Sequence, residues 1–147
     1  RGTYWKSISK YEFETRPDRR YAQRASKHQS TIMDNKQYLE IVEQVKKLIE
    51  KSSTASPPDL AQIRLDLTVL SANLSEALDD VLIFKGDQLE AFRNELGSSA
   101  AANVKWKSLK EGKQEILLRG WLARIKDVKS GIKTRIDVYR DQNYNQF

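Results

Sequence analysis

Apolar residues recur at i, i+3, i+4 and i+7 along most of this chain, and no segment alternates apolar and polar positions as a half-buried strand would. The spacing predicts a first helix over about Asp34–Ser52, with its stripe at Tyr38, Ile41, Val42, Val45, Leu48 and Ile49. Ser52–Pro58 is a break of small residues and proline. A second helix then starts from Ser56 as N-cap, with Pro57 in the first turn and Asp59 three residues after the cap. Its stripe is Leu60, Ile63, Leu67, Leu70, Leu74, Leu78 and Val81, and Leu65 and Val69 are expected to widen the buried face. Gly86 is expected to end it. Asp87 and Glu90 resemble a capping box for a third helix carrying Leu89, Phe92 and Leu96, and Gly97 suits the position just past its end. Ser98–Asn103 reads as a loop or as a frayed continuation of the helix. A long fourth helix is predicted over about Val104–Arg140, on the stripe Leu118, Leu122, Ile125, Ile132, Ile136 and Tyr139. Gly112, Gly120 and Gly131 interrupt it and are expected at kinks or close helix approaches.

Four amphipathic segments with short breaks predict an all-α fold, an antiparallel four-helix bundle over residues 31–147. Residues 1–30 have no period. Aromatics (Tyr4, Trp5, Tyr11, Phe13, Tyr21) alternate there with basic residues, and Pro17 interrupts them. That density of aromatics favours an extended basic and aromatic arm that orders by docking over a disordered tail with incidental aromatics.

The 147 residues suit one domain. No apolar run approaches the roughly 20 residues needed to cross a bilayer. The chain opens at Arg1 and not at Met; one expectation is a processed form without its targeting segment, and a trimmed chain fits equally. There is no cysteine, so disulfides and thiolate chemistry are excluded.

Charge changes the picture more than composition does. Residues 1–28 carry eight Lys/Arg against three Asp/Glu, residues 29–100 seven against twelve, and residues 101–147 eleven against five. Two basic ends flank an acidic middle, which predicts electrostatic docking to an acidic surface. The expected partner-binding residues in the arm are Tyr4, Trp5, Arg16, Arg19, Arg20, Arg24 and Lys27. A secondary basic face is expected on the last helix, where Lys126, Lys129, Lys133 and Arg140 fall on one side beside the apolar stripe. Ordinary solubilising charge is the competing reading.

Catalytic chemistry has little to stand on. His28 is the single histidine. Zinc-protease, phosphate-loop, EF-hand and nucleophile-elbow spacings are all missing from the sequence. Glu76 and Asp80 share a helix face, as a weak metal site would need, but a solvated acidic face explains them more simply. No catalytic residue, no metal and no cofactor is therefore expected.

Several stretches resemble the PsbQ family, the small extrinsic subunits of photosystem II. They are Ala22-Gln23-Arg24-Ala25, then Glu40-Ile41, then Val45-Lys46-Lys47-Leu48-Ile49-Glu50-Lys51, then the proline break, then Ile63-Arg64-Leu65-Asp66-Leu67 with Leu70 and Leu74. The resemblance covers roughly residues 20–80 and departs at the arm, which lacks a proline-rich stretch, and at the long glycine-interrupted last helix. It implies an extended arm before a four-helix bundle, as in a divergent algal form. It also implies a non-enzymatic subunit of the thylakoid lumen that stabilises the oxygen-evolving complex, helps it retain calcium and chloride, and docks on acidic lumenal subunits through the arm. Two other readings stand beside it. One is a nucleic-acid binder of the recombination-mediator kind, using the basic and aromatic run Ile132–Tyr139. The other is an accessory subunit of another organellar complex.

Overall fold

Every stripe is helical, but the breaks between helices move. The computed structural model describes residues 32–145, without the side chain of Asn145. They form α1 (Asn35–Ser52), α2 (Pro57–Leu96), α3 (Ser99–Ser108) and α4 (Lys110–Asn145), with no strand among the described residues. The fold is thus all-α with four helices, in keeping with the expected four-helix bundle. The arm expected over residues 1–30 lies outside the described residues.

The caps explain the ends that the sequence located well. The Asp34 carboxylate accepts from the Gln37 amide at 2.8 Å and opens α1. Ser56 holds the Asp59 carboxylate through its hydroxyl at 3.0 Å and accepts the Leu60 amide at 2.8 Å on its carbonyl. Gly97 closes α2 at φ +73°, a conformation costly for a side chain with a Cβ, and its amide reaches the Arg93 carbonyl at 2.8 Å.

Four expectations need correction. Gly86 and Asp87 do not separate two helices; α2 runs through them for 40 residues. A glycine in a helix interior costs about 1 kcal/mol, whereas burying one large apolar side chain returns roughly 1.5–3 kcal/mol. Val81, Phe84 and Phe92, all buried, keep the helix continuous across that point. Ser98–Asn103 is not a loop: the Ser98 hydroxyl accepts from the Ala101 amide at 3.0 Å and starts α3, which buries Ala102. The last helix is broken instead at Leu109, whose backbone is extended. Leu65 and Val69, finally, are 61% and 62% exposed. Leu65 borders an open groove between α2 and α4, and Val69 an open groove beside α1.

The chain divides into two compact units. The larger comprises residues 33–79 and 113–147, and its described part joins α1, the first half of α2 and most of α4. Its core is built from Val42 and Val45 of α1, Leu60, Ile63, Leu67 and Leu74 of α2, and Leu118, Ile125 and Ile132 of α4, all buried. Cross-links set the direction of the helices. Gln114 donates to the Met33 carbonyl at 3.1 Å, and Arg135 donates to the Ser52 carbonyl at 2.6 Å. The start of α1 therefore meets the start of α4 and the end meets the middle, so the two run parallel. The Arg135 bond also places a cation on the carbonyl end of α1, where the helix dipole favours it. Residues 64–75 of α2 and 122–133 of α4 line one stretch of a groove, and residues 61–68 and 133–140 line the next, so α2 runs antiparallel to α4.

The smaller unit, in its described part, holds residues 80–112. Trp106 of α3 is 1% exposed and packs with Phe84 at 6.1 Å between ring centroids. The turn into α4 is tight: a Cβ on Gly112 would fall on the carbonyl of Trp106 and 3.0 Å from the Lys107 Cα. A Cβ on Gly120 or Gly131 would meet nothing within 4 Å, and α4 passes through both without a break. Gly112→Ala is accordingly expected to destabilise by about 1–3 kcal/mol. Gly120→Ala and Gly131→Ala are expected to stabilise by about 0.5–1 kcal/mol each. Urea unfolding of the three variants checks the contrast, and a Gly112→Ala protein as stable as the parent would contradict it.

Candidate cationic docking groove

The groove between α2 and α4 follows from where each helix buries its stripe. On α4, Leu118, Ile125 and Ile132 are buried at seven-residue intervals, which fixes the helix face turned inward. Lys126 and Lys133 each follow a buried isoleucine, with Lys129 between them, so the three amines stand along one edge. Each helix turn advances about 5.4 Å. On α2, Arg64, Ser71 and Ser75 each follow a residue of the buried stripe and stand along the facing edge. These side chains enclose an open groove of about 440 Å³ whose floor includes Leu122 and Ile125. A second stretch of about 430 Å³ shares Arg64 and Lys133 with it and continues past Leu65 and Ile136 to Arg140.

Four of the cations in this groove have no carboxylate partner among the described residues, whereas Arg140 is paired with Asp137, an acid that also lines the second stretch. Among the described residues, no carboxylate lies within 4 Å of the charged ends of Arg64, Lys126, Lys129 or Lys133. Three basic residues of the described chain are paired with carboxylates. Lys105 pairs with Glu95 at 3.0 Å and Arg119 with Glu115 at 2.8 Å. Arg140, at the far end of the groove, is 3.6 Å from Asp137. Several like charges along one groove repel one another, and an anion laid between them relieves that repulsion.

No protein family, no curated protein and no solved structure matches the chain.

Of the residues expected to bind a partner, Tyr4, Trp5, Arg16, Arg19, Arg20, Arg24 and Lys27 lie outside the described residues. Lys126, Lys129 and Lys133 share the first stretch of groove, and Arg140 joins through the second. Arg64 was not among the expected site residues. The signal for it is in the sequence: Arg64, Thr68, Ser71 and Ser75 recur at helical spacing and form a polar edge beside the apolar stripe. That spacing does not show which helix the edge faces.

The other seam of α4 is structural. Trp121 stands beside the Tyr38 hydroxyl, and Lys46 and Arg124 lie 5.9 Å and 5.6 Å from its ring centroid. Burial pushes the Tyr38 hydroxyl above the ordinary phenol value, and the nearby Trp121 indole partly offsets the shift. Among the described residues, no group of three or more His, Asp or Glu side chains is gathered as a metal ion would need.

Proposed function

We propose that this chain is a non-enzymatic docking subunit that attaches to an acidic surface of a larger assembly through the α2–α4 groove. The observation that carries this reading is the row formed by Arg64, Lys126, Lys129 and Lys133, which no carboxylate among the described residues neutralises. The assembly is photosystem II. The support is the resemblance of residues 20–80 to the PsbQ family, together with the basic-acidic-basic order of the chain. In this role the subunit sits peripherally on the lumenal face of the chloroplast thylakoid membrane, stabilises the oxygen-evolving complex and helps retain calcium and chloride. No described helix is long and apolar enough to cross a membrane, in keeping with peripheral attachment.

A nucleic-acid reading draws on the same cations, with the exposed Tyr139 and Tyr144 near the end of α4 as stacking surfaces. One experiment separates the two. The chain is added back to salt-washed photosystem II membranes, oxygen evolution is scored at low calcium and chloride, and a single-stranded oligonucleotide is titrated in parallel. Saturable rebinding that restores activity supports the docking subunit. Tight, salt-dependent binding to the oligonucleotide with no rebinding to membranes favours the alternative.

A further inference from the structure

The two walls of the groove differ in chemistry. The α4 wall carries the amines of Lys126, Lys129 and Lys133, and beyond them the paired Asp137 and Arg140. The α2 wall of the second stretch carries Ala61, Leu65 and Thr68 around a single cation, Arg64. Ala61, Leu65, Thr68, Val69 and Ala72 form an exposed, largely apolar stripe along α2. Leu122 and Ile136 add half-buried apolar floor.

We propose that the occupant of this groove is an amphipathic acidic helix, its apolar stripe seated on Leu65, Ile136 and Leu122 and its carboxylates turned to Lys126, Lys129 and Lys133. The inference rests on the docking reading above and names the kind of partner that reading leaves open. Three observations favour a helix. The amines repeat at about one helical turn, which matches carboxylates placed at i, i+3 and i+7 on a partner helix. The unpaired amines from Lys126 to Lys133 span about 10 Å, at 1.5 Å per residue, or two turns of partner. The apolar wall is the part that a phosphate chain would leave uncovered, and an exposed leucine at 61% gains most from a partner that covers it. A single-stranded nucleic acid would instead call for aromatic rings in the groove. Tyr139 and Tyr144 are not among the residues that line it.

The test uses the full chain and a synthetic 18-residue helical peptide with leucines at i, i+3 and i+7 and glutamates along one flank. Its controls are a scrambled peptide of identical composition, inorganic polyphosphate and oligo-dT. The helical peptide is expected to bind saturably and about tenfold more tightly than the scrambled one. Leu65→Ser, at an exposed position that leaves the fold intact, is expected to weaken the helical peptide about tenfold and leave polyphosphate unchanged. Lys129→Gln with Lys133→Gln is expected to weaken both. Equal binding of the scrambled peptide, indifference to Leu65→Ser, or tighter binding of oligo-dT than of the helix overturns the proposal. The outcome is independent of the membrane assay: failed rebinding to photosystem II with intact peptide binding removes the assembly and keeps the occupant, and the reverse removes the occupant and keeps the assembly.

Discussion

Trp106→Ala is expected to cost the unit of residues 80–112 about 3–5 kcal/mol. Trp106 is the largest side chain in that unit and is 1% exposed. Its described core is otherwise Val81, Phe84, Phe92 and Ala102. Removing the indole leaves a cavity against Phe84, deletes the aromatic pair at 6.1 Å and strips the ring beneath Lys85, whose amine lies 6.0 Å from its centroid. Whole domains are stable by only about 5–15 kcal/mol, so the loss is large for a core of this size. Native-state hydrogen exchange reads it locally, as lowered protection of amides in α3 and in the second half of α2. A change under about 1 kcal/mol would mean that the indole site collapses freely and that the unit is not organised around it.

Lys126→Glu, Lys129→Glu and Lys133→Glu together are expected to weaken docking by one to two orders of magnitude while leaving the fold intact. Lys126 and Lys133 are exposed, Lys129 is half-buried, and none has an ion pair among the described residues to lose. A single exposed ion pair is worth only about 0.2–1 kcal/mol. Three reversals in one row act together, because each replaces an attraction with a repulsion along the same edge. Binding by the parent should fall steeply with added salt, and the residual binding of the variant should be nearly indifferent to it. Arg135→Gln makes the informative control. It removes a positive charge from the same helix, but one committed to the Ser52 carbonyl at 2.6 Å, so it should lower stability and leave docking almost unchanged.

The helices were legible because their signals are local. The stripe Leu60, Ile63, Leu67, Leu70 and Leu74 is buried throughout, and the cap at Asp34 and the left-handed Gly97 stand where the residue types place them. The break expected at Gly86 failed because a cap-like sequence competes with burial, and Phe84 and Phe92 outweigh it. The break at Leu109 carries no glycine or proline of its own. What permits it is Gly112, three residues on, where the backbone approaches the Trp106 carbonyl. Leu65 and Val69 misled because periodicity identifies an apolar face but not how many neighbours are available to cover it. The basic row of α4 was visible as spacing alone. Arg64 entered the site only once α2 and α4 were seen to run side by side, since helix pairing lies outside any single stripe.

The most direct measurement is rebinding of the parent chain and of the triple Lys→Glu protein to salt-washed photosystem II membranes over a salt series, with oxygen evolution at low calcium and chloride as the readout. Docking through the groove predicts saturable, salt-sensitive rebinding by the parent that restores activity, and loss of both in the variant. Rebinding of the triple variant as tightly as the parent would contradict the claim that the α2–α4 groove is the docking surface.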